Sequence, residues 1–261
     1  MHGCICPHPP LLIPDIGGDA LSEVEATVQG MRRLAEDVGE PETLIVISPH
    51  TPATGDTHLV KVGARLSGDF GAFGCPQVAL SFENDLPFVE LLLALAGGDG
   101  AVRLEPTTDE VLDHGALVPL HFLPQASLVS LSIVGRYNEH RALGRLVRRC
   151  AEELGRDVLF VASGDLSHRL TRSAPAGYDP RAREFDERIV ELVRAGDFAG
   201  LTTLDRDLVR AAGECGLRSL IALGGFLGDD ATDHPEVYSY EGPYGVGYLV
   251  ARFGPPAPRP H

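Results

Sequence analysis

The chain has 261 residues, 44% of them hydrophobic and 23% charged, which are the proportions of a folded globular protein with one large core. Its formal net charge of −15 argues against nucleic acid or an anionic membrane surface as a partner, because both select clustered positive charge. No run approaches the roughly 18 apolar residues of a membrane helix and no basic leader precedes an apolar stretch, so a cytoplasmic protein that meets small molecules or proteins is expected.

Read in chain order, the pattern is an irregular alternation of strands and helices. Gly3–Cys6 is a short apolar strand that stops at Pro7-His8-Pro9-Pro10. Asp19–Val38 has helical periodicity, an acidic first turn, and Gly39 and Pro41 as stop signals. Thr43–Ser48 is a second strand, ending at Pro49-His50-Thr51-Pro52. Leu59–Leu66 reads as a strand, Leu86–Ala96 as a helix packed on the sheet, Leu128–Val134 as a strand and Tyr137–Leu154 as an amphipathic helix. Val158–Ala162 is a further strand, followed at once by Ser163-Gly164-Asp165-Leu166-Ser167-His168.

Helices are expected over Arg181–Ala195, around Asp205–Gly213 and over Leu217–Leu227; an acidic loop, Gly228–Pro235, then leads to strands over Val237–Glu241 and Tyr244–Phe253. Gly224-Gly225-x-x-Gly228 follows no strand, so it reads as a helix terminator and not as a phosphate loop. The fold class is therefore α/β: a single domain over residues 1–253 with a mixed central β-sheet flanked by helices, and a proline-rich tail over 254–261 expected to be disordered.

Five cysteines (Cys4, Cys6, Cys75, Cys150, Cys215) are scattered without CxxC spacing, which indicates neither a disulfide framework nor a zinc knuckle. Cys4 and Cys6 fall on one face of a strand and read as small buried residues. The histidines carry more information. His8, His50 and His168 each follow directly on a strand, and in open α/β sheets the crevice beyond the carboxyl ends of the strands is where ligands bind. Three such histidines can converge on one point and support metal or acid-base chemistry. His2, His58, His121, His140, His234 and His261 lack that placement and read as solvated. Glu241, at the edge of a Gly-Pro turn, adds a carboxylate; with His8 and His50 it completes a 2-His-1-carboxylate facial triad, the donor set of non-haem Fe(II) oxygenases.

Pro7-His8-Pro9-Pro10, Ser48-Pro49-His50, Asp113-His114-Gly115 with Val118-Pro119-Leu120, Ser163-Gly164-x-Leu166-Ser167-His168 and a late glutamate before a short strand, in that order, resemble the class III (type II) extradiol ring-cleavage dioxygenases, the LigB-like catalytic subunit group. The resemblance runs from residue 3 to about 250. It implies His8, His50 and Glu241 as ligands of Fe(II), with Zn(II) or another divalent metal as alternatives, His168 as the acid-base histidine and His114 as a second active-site histidine.

One position departs from the family pattern. Asp165 stands where ring-cleaving enzymes usually have glycine, and Asp-x-x-His is more similar to the related Memo-like proteins, in which a cysteine tends to take the glutamate's place. Asp165 would orient His168 or raise its pKa, or else cap a following helix. Asp113 is equally suited to cap a helix that starts at His114.

With two neutral imidazoles and one carboxylate, Fe(II) carries a net charge of +1, which a catechol monoanion cancels. The function that follows is cleavage of a catecholic ring with O2. The alternatives are a Memo-like metal protein with a redox or scaffolding role and a Zn(II) hydrolase in which His168 and Asp165 activate water. A homo-oligomer is expected, with or without a small partner subunit, and no nucleic-acid or membrane partner.

Overall fold

The computed structural model describes residues 1–53, 55–228 and 235–255. Among them ten strands form: β1 (His2–Cys6), β2 (Thr43–Ser48), β3 (His58–Lys61), β4 (Arg65–Phe70), β5 (Cys75–Glu83), β6 (Leu104–Thr107), β7 (Ser127–Ser132), β8 (Val158–Ser163), β9 (Glu236–Glu241) and β10 (Tyr248–Phe253). The helices are α1 (Pro14–Gly17), α2 (Glu25–Asp37), α3 (Leu86–Asp99), α4 (His114–Phe122), α5 (Tyr137–Leu154), α6 (Ala182–Ala195), α7 (Phe198–Leu201), α8 (Arg206–Ala212) and α9 (Leu217–Leu227). Most of the proline-rich tail, from residue 256 on, and most of the acidic loop lie outside the described residues.

Eight strands make one mixed sheet in the order β6-β3-β7-β2-β8-β1-β10-β9. The four inner strands β7, β2, β8 and β1 run parallel, while β10 is antiparallel to β1 and β3 to β7. Strands in this position are covered on both faces and must be apolar throughout, as Leu44-Ile45-Val46-Ile47 is. Alternate residues go to opposite sides. Ile45, Ile47, Phe160 and Ala162 pack with the core under α3, α5, α6 and α9, whereas Leu44, Val46, Leu159 and Val161 pack with the core under α2 and α4.

The expected single strand over Leu59–Leu66 is two strands in two sheets. The chain breaks after Lys61, and the Asn84 amide holds the break by donating to the Lys61 and Gly63 carbonyls at 2.9 and 2.8 Å. Beyond it, β4 pairs with β5 as a separate hairpin sheet. Neither β5 nor β6 was evident from the sequence: β6 contains Pro106, which is tolerated because β6 is an edge strand. The helix expected over Asp19–Val38 starts as a 3-10 turn over Gly18–Val24 and becomes α-helical at Glu25. The last strand starts at Tyr248 and not at Tyr244.

A candidate metal centre at the carboxyl edge of the sheet

Because β1, β8 and β2 are parallel neighbours with β8 in the middle, their carboxyl ends deliver His8, Asp165 and His50 to one place. His8 and His50 face each other with Nε2 atoms 3.0 Å apart. His8 is buried, and its protonation pattern can be deduced. Ser163 Oγ donates its only proton to the Gly115 carbonyl at 2.5 Å, so it must accept from His8 Nδ1, 2.9 Å away. The proton of neutral His8 is therefore on Nδ1, and the Nε2 lone pair points toward His50. A second group that fixes the tautomer in this way is what metal-ligating histidines use. Burial, and next the charges of His50 and His114, hold the His8 pKa well below its ordinary value, which keeps the imidazole neutral.

The third donor of this group is Cys215. It lies in the turn between α8 and α9, its Sγ 3.7 Å from His8 Nε2. Two bonds to the Asp165 carbonyl hold that turn, from Gly216 N–H at 2.9 Å and Cys215 N–H at 3.3 Å. The approach is possible because residue 164 is glycine: a Cβ there would sit 2.2 Å from the Gly216 Cα. Among the described residues two sets have ligand atoms within 4.8 Å of one another, His8-His50-Cys215 and Asp165-His168-Cys215. With bonds of about 2.0 Å to nitrogen and about 2.3 Å to sulfur, a tetrahedral ion spaces its ligands at about 3.3 Å (N to N) and about 3.5 Å (N to S). The observed 3.0 and 3.7 Å fit that shell.

Glu241, expected as the carboxylate ligand, is engaged elsewhere. Its Oε1 accepts from the backbone N–H of Thr27 at 2.7 Å and from the Thr27 hydroxyl at 2.5 Å. Thr27 lies in the first turn of α2, where Val24 at the N-cap supplies no side-chain acceptor, so Glu241 satisfies a helix end from across the fold. It belongs to neither set of converging ligand atoms. The potential anionic donor beside the two histidines is Cys215, which sequence reading passed over as one of five scattered cysteines. The signal was present in the glycines around it, Gly213-Glu214-Cys215-Gly216.

Asp165 does not cap a helix, since none begins before Ala182. Its Oδ1 accepts the His8 backbone N–H at 3.0 Å and its Oδ2 lies 3.8 Å from His8 Nε2. Burial raises its pKa to about 6, against the lowering effects of the His8 N–H and of His168. His168 is held by its backbone N–H on the Ala212 carbonyl at 3.0 Å, and its buried Nδ1 has no hydrogen-bond partner among the described residues. His114 is the first residue of α4, behind the Asp113 cap. Asp113 also accepts from Ser48 and Thr51, both at 2.6 Å, which fixes the His50 turn. The His114 ring lies 4.3 Å from that of His50 and 5.4 Å from Phe73, and burial lowers its pKa. Of the histidines read as solvated, His58 and His140 are buried instead: each bonds the turn after β7, where backbone groups need partners. His234 and His261 lie outside the described residues. No helix among the described residues is long and apolar enough to cross a membrane.

Residues 2–251 match the family described as the catalytic LigB subunit of aromatic ring-opening dioxygenase. The chain is 32% identical to Protein CA_C1420 of Clostridium acetobutylicum, over 95% of its own length and 56% of that protein's. It is 29% identical to a 3,4-dihydroxyphenylacetate 2,3-dioxygenase of Escherichia coli over 47% of this chain and 49% of the enzyme. The chain thus spans about half the length of these curated relatives. An uncharacterised protein of Escherichia coli K12, JW3007, has the same fold, with a TM-score of 0.70 at 16% identity over 97% of this chain and 100% of that one. The match over nearly the whole sequence shows that the chain belongs to the family of the catalytic LigB subunit of aromatic ring-opening dioxygenases.

Proposed function

We propose that the protein is a non-haem metal-dependent enzyme of the extradiol type, with one ion held by His8, His50 and Cys215 and a catecholic small molecule and O2 as substrates. The observation that carries this reading is the convergence of three donors, two imidazoles and one thiol, at the spacing of a coordination shell. The donor set keeps the charge balance of the facial triad: with two neutral imidazoles and one thiolate, a ferrous site has net charge +1 and favours a catechol monoanion. Fe(II) bound there would supply electron transfer between catechol and dioxygen. Burial raises the Cys215 thiol pKa, so a bound cation is what makes the thiolate the stable form.

The remaining residues have separable roles. His168, whose ring joins Asp165 and Cys215 beside the centre, takes the catechol proton and later returns one to the ring-opened product. Asp165, in the same cluster, stabilises the imidazolium by its charge. His50 is exposed, so the site is open to solvent on that side, and His114 with Phe73 flanks the opening with two flat rings suited to an aromatic substrate.

Cys215 supports a second reading, a Memo-like metal protein without ring cleavage, because a thiolate donor also suits Cu(I) and Zn(II). Anaerobic loading with Fe(II), Cu(I) or Zn(II), followed by metal analysis and oxygen uptake with a catechol series, tests both. The expected result is one Fe(II) per chain and catechol-dependent oxygen uptake with a yellow ring-opened product. His8→Ala and Cys215→Ala are expected to lose the metal, whereas His168→Ala keeps it and loses roughly 10²- to 10⁴-fold in turnover. Tight Cu(I) binding with no oxygen uptake selects the second reading.

A further inference from the structure

Beyond the carboxyl end of β7, beside the candidate metal centre, lies an open cleft of about 900 Å³. Five arginines line it: Arg136 and Arg141 at the start of α5, Arg206 and Arg210 on α8, and Arg218 on α9. This is a concentration of positive charge on a chain whose formal net charge is −15. Among the described residues, Arg210 pairs with Asp207, and the other four form no ion pair. The one carboxylate in the lining, Glu214, already accepts the Leu217 N–H at 2.6 Å. The Tyr137 phenol, also in the lining, lies in the field of Arg206, Arg218 and Glu214. Folding gains nothing from gathering like charges around one cleft, and their mutual repulsion costs stability unless an anion sits among them. Helices α5 and α9, of 18 and 11 residues, both begin at this cleft and add the positive ends of their dipoles.

We propose that the cleft binds the phosphate groups of a small phosphorylated molecule. Four guanidiniums with no ion pair among the described residues require a ligand with several negative charges and many acceptor oxygens, and the planar fork of arginine matches phosphate by paired N–H···O bonds. The volume is at the upper end for small-molecule sites, which leaves room for an organic group beside the phosphates. That group has a neighbour of chemical interest: Glu214 lines the cleft, and the next residue, Cys215, presents its thiol 3.7 Å from His8 Nε2.

Titration calorimetry on the full chain with sodium pyrophosphate, at about physiological salt to screen weak surface contacts, tests the site. Saturable binding is expected, weakened about tenfold or more in Arg206→Gln/Arg218→Gln, and weakened in Arg141→Gln should the double variant fail to fold. His8→Ala, which disables the metal centre and leaves the cleft intact, is expected to bind pyrophosphate as tightly as the parent chain, so failure of the metal reading and failure of this one are distinguishable. Citrate is expected to bind more weakly. Absence of saturable binding, arginine variants of unchanged affinity, loss of binding in His8→Ala, or citrate binding more tightly than pyrophosphate would each overturn the proposal.

Discussion

At the scale of single residues, Glu241 bonds the start of α2, while Cys215 lies 3.7 Å from His8. A carboxylate near the end of a metalloenzyme-like chain invites assignment as a ligand, yet Glu241 spends both of its short hydrogen bonds on Thr27. Removing it should therefore act on α2 and not on a metal. Glu241→Ala is expected to cost about 1 kcal/mol, the ordinary effect of losing a helix cap, with metal content unchanged. A urea midpoint together with a metal analysis checks this. A variant that unfolds no earlier and loses its metal would return the carboxylate to the ligand set.

At the scale of elements, α5 and α9 pack closely, and glycine makes it so. A Cβ on Gly144 would lie 1.9 Å from the Ala222 carbonyl, and one on Gly225 would lie 2.2 Å from the Arg141 carbonyl. Each helix thus meets the backbone of the other directly. The sequence reading of Gly224-Gly225-x-x-Gly228 as a terminator applies to Gly228, with φ of 72°, whereas Gly224 and Gly225 lie inside α9 and serve packing. Gly144→Ala is expected to force the helices apart and lower stability by about 1–3 kcal/mol or more, the range of overpacked cores. Thermal unfolding measures it, and a melting temperature equal to the parent's would show that the pair is looser than these contacts state.

At the scale of the whole molecule, Asp186 joins parts distant in sequence. It is buried on α6, accepts the Ser167 N–H at 2.8 Å beside His168, and accepts the Tyr240 hydroxyl of β9 at 2.8 Å. Burial raises its pKa to about 7 against the bonds from Ser167 and Tyr240. An acid raised on folding holds a proton that the unfolded chain releases near pH 4, so its contribution falls as pH rises from about 4 to about 7 and is constant above that. Asp186→Asn is expected to flatten the stability profile across that interval and to exceed the parent chain by a few kcal/mol near pH 8. Urea unfolding across that pH range checks it, and parallel profiles for the two proteins would refute it.

Local patterns in the sequence determined the α/β class, most of the strands and helices, and the placement of His8, His50 and Asp165-Leu166-Ser167-His168 at strand ends. Apolar runs bounded by turn residues are readable without long-range information, and the motif order carried the family. Only the tertiary structure shows which potential anionic donor lies beside the histidines. Cys215 reaches His8 because Gly164 admits the α8–α9 turn, and Glu241 bonds Thr27 because α2 lacks a cap of its own. Both outcomes depend on contacts between segments far apart in sequence, 207 residues for Cys215 and His8 and 214 for Glu241 and Thr27, which no local pattern encodes. The same holds for the arginine cleft: its charges come from three helices, and only their packing shows that they face one space.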